Sequence, residues 1–519
     1  MHPHPRPSRL CRPRLLWSTG TAVVTVLVLV GLPGSAQALR PDGASPASAA
    51  ATVTDPGRDA TAGATAGDVA ARVATITTTT ALVWPNLQAS VSGSGFTPGP
   101  VALRMDGRVL KRITVPASGS FTTKVTVPGT NPPGARTVTA TQPQSVGGRS
   151  ASTTLRVAVQ WAQVGEYPNR LSDAIHEHTL TRANITTVGP LYTGAPASGG
   201  PNGPLVLGSG VIAYQNTNGV IGIDAATGKQ LWDYNDQRND SSTLGNPVYD
   251  PSTGTFVANL QQGLVGIDPL TGNPKWGIVT PGNRASNNLA VAQGYVYETV
   301  STTTGNQVVA VDPVHQKVAW AAPLADTTGN GPIVIDGRVI IIYDNSFGAY
   351  DAATGSPLWT TAYPKGTWTT TGPVGNATVG LLLGYADDTF ASYDLSTGIQ
   401  RWITTISTQT GEHPSGEAVA DGRIYVTTNQ AIYALDATTG RQLWVAPQPA
   451  GRLTPLAFNG MILTPTNPEG NRAFFAVLNA ATGAVLTTFP VTPSPFNSPF
   501  IADGIIYFPG DIAYTLPIL

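Results

Sequence analysis

The residues best equipped for chemistry recur as a set. "IDAATGKQLW" (223–232) brings together a carboxylate at Asp224, a hydroxyl at Thr227, a glycine at Gly228 and an indole at Trp232. Such a group could grip a cofactor. Close copies return as "IDPLTGNPKW" (Asp268, Gly272, Trp276), "VDPVHQKVAW" (Asp312, Trp320), "YDAATGSPLW" (Asp351, Gly355, Trp359), "YDLSTGIQRW" (Asp394, Gly398, Trp402) and "LDATTGRQLW" (Asp436, Gly440, Trp444). A degenerate seventh copy, "LNAATGAVLT", carries Asn479 in place of the aspartate. Each position also has a structural job. The carboxylate can accept N–H bonds from the following turn, glycine supplies the positive φ that the turn needs, and the indole can bury about 150–250 Å² as a wedge. A catalytic group has no reason to appear seven times, so the motif reads as a folding device.

Other chemistry is thin. His176-Glu177-His178 is the one compact set of potential metal ligands; its i, i+2 spacing lacks further ligands and reads as a surface loop. G-x-S-x-G, H-E-x-x-H, P-loop and EF-hand patterns are absent. The single cysteine, Cys11, precedes an apolar N-terminal stretch, which excludes disulfides, thiol nucleophiles and thiolate metal sites from the rest. Binding residues are expected on the loops that join one repeat to the next: Arg238, Asp240, Arg284, Asn288, Trp368, Glu412, His413, Glu417 and Arg452. Trp368 is distinct from the repeat tryptophan Trp359, and an exposed ring among amides and carboxylates would suit a sugar or peptide.

The elements that position these residues follow from periodicity. The motif anchors lie 39–44 residues apart, each after short apolar strands and Gly turns such as Asp336-Gly337, Asp421-Gly422 and Asp503-Gly504. A strand-rich period of this length is the mark of a β-propeller blade. An eighth opening phrase, "SPFIADGIIYFPGDIAYTL" (498–516), has no motif after it, so its blade is short of a strand. An unpaired edge invites aggregation, and "TTVGPLYTG" (186–194), with Val188, Leu191 and Tyr192, is the expected donor. The expected fold is therefore all-β, an eight-bladed propeller over 158–519 closed by strand 186–194.

Before it, residues 1–38 read as an export signal: Arg6, Arg9, Arg12 and Arg14, an apolar stretch over 15–32, and Ala36-Gln37-Ala38 for cleavage. A retained N-terminal anchor is the alternative. Residues 39–71 are rich in Ala, Thr, Gly and Pro and read as a tether. Residues 72–157 alternate at period two and suggest a β-sandwich. This stretch holds nine Lys and Arg against one Asp, whereas 158–519 holds fourteen against 25 Asp and Glu. The acidic part is a poor nucleic-acid binder; the basic part could meet an anionic polymer or its acidic neighbour.

"VSGSGFTPGPVALRMDG" and "GSFTTKVTVP" resemble bacterial immunoglobulin-like modules, which implies an Ig-like sandwich acting as a spacer. The periodic D-x-x-T-G-x-x-x-W, with the lead-in "HTLTRANITTVGPLY", resembles the pyrroloquinoline-quinone-type (PQQ-like) propeller repeats over about 158–519. That resemblance implies either of two functions. Quinoprotein alcohol dehydrogenases hold the quinone and Ca²⁺ on the propeller axis; other members are non-catalytic, including a lipoprotein of outer-membrane assembly. The adjacent Cys pair and C-x-x-C-H of the dehydrogenases are missing, and the repeats carry no sizeable insertion. The catalytic Asp and the Ca²⁺-ligating Glu and Asn match no motif here. The expectation is a secreted or surface-held, monomeric, non-catalytic module without cofactor, binding a protein or cell-envelope glycan, with neither nucleic-acid binding nor membrane insertion of the mature domains. A PQQ- and Ca²⁺-dependent dehydrogenase is the alternative.

Overall fold

A chain with short alternating strands and a turn residue every few positions can bury its apolar faces only by stacking many small sheets. The computed structural model shows that arrangement. It describes residues 73–79, 82–129, 131–163, 172–193, 201, 203–216, 219–235, 244–325, 331–364, 369–406, 412–447, 453–466, 474–490, 498–508 and 512–515. The expected signal and tether (1–71) lie outside them. The described residues are strands and turns, with helical turns only at Gln144–Val146 and Ile185–Thr187, and no described helix is long and apolar enough to cross a membrane.

Residues 75–157 form two sheets. Thr75–Thr78, Gln88–Ser94 and Phe121–Thr126 pair antiparallel; Leu82–Val83, Ser150–Val157, Gly134–Thr141, Gly99–Met105 and Arg108–Val115 make the second. Alternation directs Val91, Val125, Leu103, Val138 and Leu155 into one core between them.

Eight sheets follow, one per repeat, each an antiparallel run from an inner strand to an outer one. In the first, Val206–Gly208, Val211–Gln215, Val220–Asp224 and Gln230–Tyr234 lie in chain order. The third carries an extra short strand, Asn283–Arg284. The eighth takes Phe500–Ala502, Ile505–Phe508 and Ile512–Thr515 from the far end of the chain, and its outer strand is Gly189–Thr193. Apolar clusters fill the gaps between successive sheets, which makes the assembly a β-propeller with its core distributed among the joints.

The repeat motif builds these joints. Asp224 Oδ1 accepts the N–H groups of Ala226 and Thr227 and the Thr227 hydroxyl; Asp268, Asp351, Asp394 and Asp436 do likewise, and Asn479 accepts from Ala481. Each tryptophan pairs across its own sheet with a small residue: Gly222, Gly266, Ala310, Ala349, Ser392 and Ala434. Where the seventh copy has Thr487, the partner grows to Val477. Five of the six rings then cover the glycine of the next motif. A Cβ on Gly272 would stand 2.6 Å from Cγ of Trp232, and Gly355, Gly398, Gly440 and Gly483 lie equally close under Trp320, Trp359, Trp402 and Trp444. Trp232, Trp320, Trp359 and Trp444 also donate Nε1–H to the carbonyl of Pro269, Ala352, Leu395 and Ala480, one residue after each next anchor. In the closing strand Tyr192 takes the place of the tryptophan: it pairs with Ala513 and lies over Gly228.

Candidate functional site

A propeller offers two faces, one formed by the first hairpin of each sheet and one by the crossovers between sheets. Part of the hairpin face is taken up by the chain itself. The lead-in pairs with the inner strands in turn: Trp161 bridges Leu207, Ala162 accepts from Tyr249 N, Gln163 exchanges bonds with Val291 through its side-chain amide, and Asp173 bridges Ala457. The sandwich lies against the same hairpins. Asn86 Nδ2 donates to the Tyr249 hydroxyl and to Pro251 O, each at 3.2 Å, and Arg156 stands 3.6 Å from Asp503, whose other oxygen accepts Val159 N. The module is therefore not a free spacer. Between it and the hairpins runs a mainly apolar cleft of about 500 Å³, lined by Pro85, Pro133, Ala162, Pro251 and Val291.

On the crossover face, the residues singled out from the sequence fall into separate groups. Arg238, Asp240, Trp368 and Arg452 lie outside the described residues. Arg284 sits in the short Asn283–Arg284 strand and donates from Nη1 to Asn259 O; Asn288 accepts Asn246 Nδ2 at 2.7 Å. His413, half-buried, meets Asp388 Oδ1 through Nδ1 at 2.7 Å. Glu412 and Glu417 are not the exposed loop acids that the sequence suggests. Glu412 is 1% exposed and accepts the hydroxyls of Thr428 and Tyr433. Glu417 is 2% exposed because the inner strand Gly416–Ala420 begins just before it and turns it between sheets; burial pushes its carboxyl up to about 8, against a hydrogen bond to Thr371. Each local pairing holds a crossover in shape. Glu177 needs the same correction. It is 2% exposed, and its carboxylate accepts Thr179 N, Leu180 N and Gly504 N, so it locks the lead-in to the Asp503-Gly504 hairpin. Its neighbour His176 is held below the usual imidazole range by burial, then by His178 and Arg136.

Sequence reasoning missed Glu298. It is 0% exposed on strand Tyr295–Thr302, facing the second sheet, and neither carboxylate oxygen has a hydrogen-bond partner among the described residues. Burial pushes it up to about 7, while Thr280 and Arg284 pull it down. The available signal was one acid between Val296 and Val300 in an apolar run. Among the described residues, no three His, Asp or Glu side chains come together as a cation cage. Glu298 and Glu417 belong to different sheets.

A family model described as outer membrane protein assembly factor BamB matches residues 176–298 and 286–486. Among solved structures, a europium-containing methanol dehydrogenase is similar at 12% identity and a TM-score of 0.53, over 66% of this chain and 87% of that one. A quinohemoprotein alcohol dehydrogenase from Comamonas testosteroni gives 13% identity and 0.53, over 69% and 80%. At these identities the likeness is one of fold: the all-β propeller is shared. A curated relative, tetrathionate hydrolase of Acidithiobacillus ferrooxidans, is 24% identical over 160 residues, which is 28% of this chain and 31% of the relative's length. The chain thus spans under a third of that protein.

Proposed function

The chain belongs to the family described as outer membrane protein assembly factor BamB, and from that premise we propose that it is a non-catalytic binding propeller working outside the cytoplasmic membrane, taking a protein or cell-envelope glycan on its crossover face. One observation carries this reading. The lead-in and the sandwich lie on the hairpin side of the first three sheets, through Trp161–Leu207, Asn86–Tyr249 and Gln163–Val291, which favours the crossover face as the one that meets a partner. Arg284, Asn288 and His413 stand on it, and the Ig-like reading of the sandwich makes that module a brace for the opposite side.

The test is a titration of the full chain with soluble envelope-glycan fragments and, separately, with pyrroloquinoline quinone and Ca²⁺, alongside a dye-linked alcohol oxidation assay. The expected result is saturable glycan binding, weakened about tenfold or more by Arg284→Ala with His413→Ala, and no turnover. If glycans do not bind, cross-linking from Asn288 should capture a protein partner in envelope extracts. Stoichiometric quinone binding with Ca²⁺-dependent turnover would overturn the reading.

A further inference from the structure

The joint between the second and third sheets departs from the tryptophan-on-glycine pattern at two points. Its motif has Gln316 where the others have glycine, and that residue holds φ 52°, a left-handed conformation in which a side chain is strained. Trp276, the ring on this joint, is the one whose Nε1–H is buried without an acceptor. Behind it the unpaired polar atoms accumulate. Asn259 Oδ1, Thr280 Oγ1 and both oxygens of Glu298 are buried and unbonded among the described residues, and all border the same joint. Such atoms each disfavour the closed state, because a buried polar group without a partner has lost its hydration. Above the joint lies the crossover bearing Arg284 and Asn288, tied to the third sheet by Asn283–Ser301 and Arg284–Val300 pairing.

We propose that this joint is the gate of the ring: it separates when Glu298 loses its proton, and the crossover carrying Arg284 and Asn288 moves with it. As a neutral acid, Glu298 can stay between the sheets. As an anion it would be a buried charge with only the Thr280 hydroxyl beside it and Arg284 acting at longer range, which is tolerated only if water reaches it. Its titration near neutrality makes the change reachable. The groups facing it are mostly neutral: Asn259 from strand Thr255–Leu260, Thr280 after strand Pro274–Ile278, and Val309 across strand Gly305–Asp312. Arg284 is the charged group acting on it. Lys275 and Asp312, on neighbouring strands, are engaged by Asp268 and His315. Opening does not depend on which ligand the crossover face takes.

Hydrogen–deuterium exchange of the full chain at about pH 5.5 and about pH 8.5, normalised for intrinsic exchange, tests this. Peptides covering 274–284 and 295–302 should gain about tenfold in normalised exchange at the higher pH, while those covering 351–362 and 389–405 should not. Glu298→Gln should remove the pH response, and Gln316→Gly should slow exchange at the joint at both pH values. Equal behaviour of all joints in the unaltered chain overturns the proposal, as does an unchanged pH response in Glu298→Gln. If Glu298→Gln fails to fold, the comparison of joints within the unaltered chain decides alone.

Discussion

Two ways of holding one sheet to the next coexist in this ring. From the third sheet to the seventh, a single tryptophan on a glycine does the work, with an indole N–H bond at three of the four joints, those of Trp320, Trp359 and Trp444. The clasp that joins the seventh and eighth sheets to the lead-in puts Tyr192 in the tryptophan's place and adds polar contacts found at no other joint described above. It spreads the load over Tyr192 on Gly228, Glu177 on three backbone N–H groups, Asn459 on Leu180 O and Asp503 on Val159 N. A repeated joint concentrates energy in one side chain and is copied by duplication. A joint between distant parts of the chain must be assembled from one-off polar contacts.

The comparison can be broken in several places. Trp359→Ala should cost about 3–5 kcal/mol in urea unfolding, since it empties the space over Gly398 and leaves Leu395 O without its donor. Glu177→Ala should cost about 3 kcal/mol by orphaning buried N–H groups at the clasp; a loss below about 1 kcal/mol would mean that apolar contacts alone close the ring. Tyr192→Phe, which keeps the ring over Gly228, should change stability by less than about 0.5 kcal/mol.

A pH scan sharpens the same contrast. Glu298 and Glu417 have carboxyls raised to about 7 and about 8, so they bind protons more tightly folded than unfolded. Their contribution is fully present below the unfolded value of 4.5 and lost as pH rises through 7 and 8. The motif aspartates behave oppositely. Asp351 and Asp436 are held low first by the hydroxyls of Thr354 and Thr439, so their contribution is present above the unfolded value of 3.8 and lost in acid. Thermal unfolding should therefore peak in mildly acidic buffer, and Glu417→Gln should flatten the alkaline limb; a maximum above pH 8 contradicts both assignments.

The propeller was legible in the sequence because its joints repeat: aspartate, glycine and tryptophan state the turn and the wedge together, and the period states the sheet. The site was much less legible. Glu412 and Glu417 look like loop acids because they neighbour Pro414, Ser415 and Gly416; only the start of the inner strand decides that Glu417 points between sheets. Glu298 was silent because one acid in a strand gives no hint of which sheet it faces. Glu177 looked like part of a histidine loop because its acceptors' donors include Gly504, far along the chain. The docking of the sandwich was equally hidden, since Asn86 and Arg156 find their partners in hairpins that no local pattern connects to them.

The outer strand of the eighth sheet has a consequence for the order in which the molecule can be made. Gly189–Thr193 is synthesised roughly 320 residues before Ile512–Thr515, its partner. Bringing such distant segments together costs about 5 kcal/mol of chain entropy. Until then both strand edges stay bare, so the chain emerging from synthesis or export passes through an open arc whose last act is to fasten its beginning to its end.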